Sequence, residues 1–104
     1  MYRKLALLLL VLVLTVPMFT GCQKETEAIK IGLEGPMTGD YAYEGQGFEK
    51  AVGLLVEQTN EAGGIMGRQV ELVIEDDAGD PTQAALVAQR LVDAGVVAVI
   101  GAYN

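Results

Sequence analysis

The densest group of chemically capable side chains in this sequence is Glu75, Asp76, Asp77 and Asp80. Carboxylates so closely spaced suit a hard cation such as calcium or magnesium. The glycine and the closing glutamate of a helix–loop–helix calcium loop do not follow at the required positions. The same residue types also make an N-cap, at Asp80, and turn hydrogen bonds, at Asp76 and Asp77, and this is the role expected of them. A third chemistry would use Glu75 or Asp76 to hold the ribose of a dinucleotide. That site needs Gly-x-Gly-x-x-Gly in a tight first turn, whereas Gly35, Gly39, Gly45 and Gly47 are spread over a long segment. The chain has no His and a single cysteine, Cys22. Most metal sites and most nucleophile–base pairs are thereby excluded, and any metal site would be all-oxygen. No catalytic residue, no metal and no cofactor is expected.

The elements that must position these groups alternate. Ile29–Leu33 reads as a short buried strand, and Glu34–Glu44 as a loop by its Gly, Pro and Asp breakers. Gln46–Ala62 reads as a helix, with Phe48, Ala51/Val52, Leu55 and Thr59 on one face. Gly63-Gly64 ends it, and Ile65 and Met66 in the following turn are expected to pack. Gln69–Glu75 is a second strand, rich in β-branched residues. Asp80-Pro81 opens a second helix, which runs to Ala94 with Ala84, Val87/Ala88 and Leu91 on one face. Val96–Ile100 is a third strand, apolar throughout and expected to be buried on both faces.

A β-α-β-α-β order predicts an α/β fold with a parallel sheet and right-handed crossovers. The predicted strand order is 2-1-3, which creates a switch point between the first and third strands. Ligands of open α/β sheets bind outside the carboxyl ends of such strands. Two loops are thereby singled out. The first carries Thr38, Gly39, Tyr41, Tyr43 and Glu44. The second carries Ala102, Tyr103 and Asn104. A tyrosine offers an apolar ring and one polar tip to a ligand, although Tyr41 and Tyr43 could equally pack on the first helix. Glu44 could meet an ammonium, or simply favour the helix dipole. The acidic cluster is expected to lie away from this switch point, at the end of the second strand.

The first 21 residues have a different character. Arg3 and Lys4 precede the apolar run Leu5–Val16, and Pro17-Met18-Phe19-Thr20-Gly21-Cys22 closes it. A charged start, a short apolar core and small residues before a cut site make a secretory signal. With a cysteine directly after Gly21, the segment resembles a bacterial lipoprotein signal. The resemblance implies that Cys22 is lipidated and becomes the mature N-terminus, so that the protein is exported and held at a membrane, facing the periplasm or the cell exterior. A membrane span would need ~20 apolar residues, more than this run supplies. A buried thiol or an intermolecular disulfide are the other roles open to Cys22. Residues 22–28 read as a tether, and residues 29–104 as the folded part.

Residues 22–104 keep all 14 acidic side chains and five basic ones, a formal charge of −9. Such a surface argues against nucleic acid as a partner, because phosphate binding needs Lys and Arg.

Several segments together resemble a known family. Ile29-Lys30-Ile31-Gly32 with Gly35-Pro36-Met37-Thr38-Gly39 resembles the start of leucine/isoleucine/valine-type periplasmic binding proteins, the receptor components of branched-chain amino acid ABC transporters. Gly45-Gln46, then Asn60-Glu61-Ala62-Gly63-Gly64-Ile65-Met66-Gly67-Arg68 with Val70-Glu71-Leu72, agree with it. So do Asp76-Asp77 with Asp80-Pro81 and Ala84-Ala85, and Val99-Ile100-Gly101. The resemblance implies a type I periplasmic binding fold, in which two α/β lobes close on a small amino-acid-like ligand. It implies an ABC permease as partner and no catalytic step. It covers only the first half of the first lobe and stops before the family's carboxylate-binding Ser and Thr residues. The chain is therefore expected to be a fragment of a longer protein or a truncated product. A ligand-sensing domain of an amino-acid or amide receptor with the same fold is the alternative.

Overall fold

A computed structural model describes Tyr2 and residues 26–103. The rest of the leader, Cys22 and Asn104 lie outside the described residues. The element order is β1 (Ile29–Gly35), α1 (Ala42–Glu61), β2 (Val70–Asp76), α2 (Pro81–Asp93) and β3 (Ala98–Ile100). All strands are parallel, in the order β2-β1-β3, the order expected from right-handed crossovers. β1 is central, with Ile31 level with Leu72 on one side and Ala98 on the other.

Alternate residues of β1 face different helices. Gly32 faces α2, where a Cβ on it would lie 3.1 Å from both methyls of Leu91. Ile31 faces α1 and lines an open groove of about 200 Å³ together with Val52, Leu55, Val56 and Ile100. The buried apolar set is small: Leu33, Val70, Val87 and Leu91.

The second helix starts as its sequence dictates. Asp80 Oδ1 accepts from the N–H groups of Thr82 (2.6 Å) and Gln83 (3.2 Å), and Pro81 takes the first helical position. The link between α1 and β2 is held by Asn60. Its Oδ1 accepts from Val70 N (2.7 Å) while its Nδ2 donates to Val70 O (2.8 Å). One amide side chain thus satisfies both backbone groups of a buried residue. Asn60→Ala leaves both unpaired and is expected to cost about 1–3 kcal/mol, read from chemical denaturation. A loss under ~0.5 kcal/mol would mean that water replaces the amide at no cost.

Arg68, at the end of the same turn, reaches back to the chain preceding β1. Its Nε donates to Glu27 O at 2.7 Å and a terminal guanidinium nitrogen to Ala28 O at 3.5 Å. This pins the last residues of the expected tether beside the amino ends of β1 and β2.

Four expectations are corrected. β1 runs two residues further, to Gly35, and α1 begins at Ala42 rather than Gln46. The loop between them shrinks to Pro36–Tyr41, and Tyr43 and Glu44 move onto the helix. The third strand is Ala98–Ile100 rather than Val96–Ile100, lies at the edge of the described sheet and is not buried on both faces, with Val99 and Ile100 nearly half exposed. Met66 does not pack: its φ of 54° holds the turn and its side chain is 94% exposed.

Candidate functional site

The carboxyl ends of β1, β2 and β3 present three loops side by side, and the switch point lies between β1 and β3. The β1 loop is shaped by a close approach. Gly45, in the first turn of α1, is buried against Pro36, so that a Cβ there would collide with the Pro36 carbonyl and lie 3.0 Å from Met37 N. The absence of a side chain lets the helix start directly on the loop. Tyr41 stands at the N-cap of α1, and no side chain caps it. Backbone carbonyls take most of the first-turn N–H groups instead: Gly39 O accepts from Ala42 N at 3.2 Å, and Tyr41 O from Glu44 N and Gly45 N at 3.1 Å.

The expected site residues separate into groups. Tyr41 and Tyr103 meet, with ring centroids 5.7 Å apart, and Phe48 also lies 5.8 Å from Tyr103. The two switch-point loops are thus joined by an aromatic group, half-exposed on the surface. Thr38 and Gly39 sit in the loop beside them, and Ala102 is exposed between β3 and Tyr103. Tyr43 does not join the group; it is 89% exposed on α1. Glu44 occupies the first turn of α1. Asn104 falls outside the described residues. Phe48 was read only as part of a helix stripe, and nothing in its local pattern signals the contact with Tyr103.

The acidic cluster lies at the end of β2, across β1 from β3, and is divided by function, with one member, Asp76, reaching the β1 loop. Asp80 caps α2. Asp77 is fully buried and its Oδ1 accepts from Gly79 N at 2.8 Å. Asp76 crosses to the β1 loop. Its Oδ1 accepts from Met37 N (2.8 Å), Thr38 N (3.3 Å) and Ala78 N (2.8 Å), and its Oδ2 from the Thr38 hydroxyl (2.6 Å). Glu75 pairs with Arg90 at 2.7 Å on the surface, where such a bridge is worth little. Among the described residues no group of three or more His, Cys, Asp or Glu is arranged to hold a metal ion.

The carboxyl groups carry opposite shifts. Burial pushes Asp76 up, but the Thr38 hydroxyl and the N–H groups of Ala78, Thr38 and Met37 outweigh it and hold the carboxyl below the usual range. The N–H groups of Gln83 and Thr82 hold Asp80 down in the same way. Glu34, at the end of β1, is pushed up by burial and further by the Asp77 charge. The signs predict different pH responses. The stability from Asp76 and Asp80 is present above the unfolded value of ~3.9 and is lost as pH falls through their lowered folded values. Ionised Glu34 instead costs the fold stability at neutral pH, and the cost vanishes once the residue is protonated. Glu34→Gln is therefore expected to melt above the parent chain at pH 7, with the gap closing toward pH 4. A gap undiminished at pH 3 would assign the effect to something other than charge.

Comparisons with known proteins agree with this architecture. Residues 28–104 match the sequence model of a family described as periplasmic binding proteins. A leucine-, isoleucine-, valine-, threonine- and alanine-binding protein of Pseudomonas aeruginosa is 43% identical over 83 residues, covering 80% of this chain and 22% of that protein. The branched-chain amino acid transporter substrate-binding protein of Streptococcus pneumoniae, solved with isoleucine, superposes with a TM-score of 0.71 at 38% identity, over 73% of this chain and 22% of its own. A fatty acid ABC transporter substrate-binding protein from Thermomonospora curvata gives a TM-score of 0.66 at 33% identity, over 70% of this chain and 18% of its own. The chain thus spans about a fifth of the length of the proteins it matches.

Proposed function

Since this chain belongs to the periplasmic binding protein family, we propose that it supplies one wall of the ligand cleft of an extracytoplasmic receptor for branched-chain or related amino acids, delivering them to an ABC permease. The observation that carries this reading is the meeting of Tyr41 and Tyr103 across the switch point. An aromatic wall suits an aliphatic side chain. The leucine, isoleucine and valine named for the Pseudomonas protein, and the isoleucine of the Streptococcus protein, carry such a side chain. The fatty acid protein shares the fold, so the ligand is argued from these side chains and not from the fold. Thr38, Gly39, Tyr41, Ala102 and Tyr103 are the proposed contacts on this wall, with Asn104 next in sequence. Tyr43 and Glu44, on the outward turn of α1, lie at its margin. No catalytic step belongs to this function.

Export and anchoring complete the proposal. Residues 1–21 act as the signal, Cys22 carries the lipid, and residues 22–28 link it to the fold. Among the described residues no helix is long and apolar enough to cross a membrane. Incorporation of labelled fatty acid that is abolished by Cys22→Ala tests the anchor; unchanged membrane attachment in that variant would refute it.

The cleft is tested by grafting. Residues 28–103 replace the matching segment of the Pseudomonas protein, and the product is titrated with isoleucine. Affinity within about tenfold of the parent is expected, with a further loss on Tyr41→Ala. A folded graft that binds no branched-chain amino acid would overturn the assignment.

A further inference from the structure

We propose that Asp76 is a positioning residue for ligand capture: its carboxylate ties the turn after β2 to the β1 loop and so fixes Met37 and Thr38 at the edge of the cleft. The proposal rests on the functional reading above and adds to it a residue that touches no ligand. Asp76 is level with Gly35 at the carboxyl ends of the paired strands, which brings its side chain beside residues two and three positions beyond Gly35. An ionised carboxylate has about four acceptor positions. Here three N–H groups converge on Oδ1 and one hydroxyl donates to Oδ2, so that both oxygens are engaged within the fold.

The bond to Thr38 has a chemical consequence. A carboxylate cannot donate, so the hydroxyl hydrogen of Thr38 must point to Asp76 at 2.6 Å. Thr38 then presents only acceptor lone pairs to the cleft, in a direction set by Asp76. Few other contacts hold this part of the loop. Met37 N also lies 3.0 Å from Gly35 O, and Gln46 Nε2 donates to Met37 O at 3.4 Å. Charge-assisted bonds are roughly twice as strong as neutral ones, so the loop's geometry depends chiefly on one side chain drawn from another strand.

Amide hydrogen exchange on the full chain tests the tie. In Asp76→Ala the amides of Met37 and Thr38 are expected to exchange at least about tenfold faster relative to that of Leu33 in the core. Asp76→Asn keeps one acceptor oxygen and is expected to fall between; it also serves if the alanine variant does not fold. Thr38→Ser keeps the hydroxyl and is expected to exchange like the parent. In the graft described above, Asp76→Ala is expected to weaken isoleucine binding at least about tenfold. Parent-like exchange at Met37 and Thr38 in both Asp76 variants would overturn the proposal. So would accelerated exchange with undiminished affinity, which would make Asp76 structural only. A graft that fails to bind with Asp76 intact would count against the functional reading instead, and the exchange contrast would still decide the tie.

Discussion

Leu91→Ala is expected to leave this chain largely unfolded at 25 °C. Leu91 is fully buried, and both of its methyls pack over Gly32, the one position of β1 where the missing side chain makes room for them. Removing a buried leucine costs about 2–5 kcal/mol through lost transfer energy and the cavity left behind. Among the described residues the buried hydrophobic core is Leu33, Val70, Val87 and Leu91, and domains of this size rarely hold more than about 3–5 kcal/mol in total. The loss therefore matches the whole. Far-UV circular dichroism should show most of the helical signal gone, whereas Leu91→Met, close in volume, should keep a cooperative melt. A cooperative transition in the alanine variant within a few degrees of the parent would show that the core is larger than these side chains.

Gly45→Ala is expected to destabilise by about 3 kcal/mol, at the upper end of overpacking costs, and to abolish ligand binding in the graft. Intrinsic propensity argues the other way, because alanine exceeds glycine in a helix by about 1 kcal/mol. Sterics decide the sign. The new Cβ would collide with the backbone of Pro36, which cannot swing aside like a flexible side chain. Either α1 tilts away or the β1 loop moves, and both carry Tyr41 out of place. Gly47 and Gly53 on the same helix are the internal controls, since a Cβ at either meets nothing within 4 Å. Gly47→Ala and Gly53→Ala should stabilise by up to about 1 kcal/mol. Equal effects at all three positions in thermal melts would refute the close-approach argument.

Gly45 also shows why part of the architecture was legible and part was not. The strand order followed from alternation and handedness, and the start of α2 from Asp80-Pro81, because each depends on neighbours in sequence. The start of α1 did not. The Gly, Pro and Asp breakers read locally as a loop through to Glu44, yet the helix begins at Ala42, where Gly45 lets it lie against the backbone of Pro36. β3 was misjudged for a related reason. An apolar run reports what a strand can bury, while its exposure depends on what lies beside it, and β3 has β1 on one side only. Asp76 was assigned to a turn, which its bond to Ala78 N fits. Its bonds to Met37 and Thr38 cross 38 to 39 positions and arise from strand register, which no local pattern encodes. Topology alone placed the Tyr41 and Tyr103 loops at one switch point; the contact of their rings needed coordinates.

Arg68 has a mechanical meaning as well. A pull transmitted through the residues before β1 arrives first at Glu27 and Ala28, whose carbonyls the guanidinium grips. Beyond that grip the force runs along the central strand. There it meets β2 and β3 in shear, with the ladder bonds on both sides stretched together rather than opened one by one. The switch-point loops lie at the far end of that strand, seven residues away, where little of the strain would arrive. Under the proposed anchoring, a pull from the membrane would then leave these loops in register.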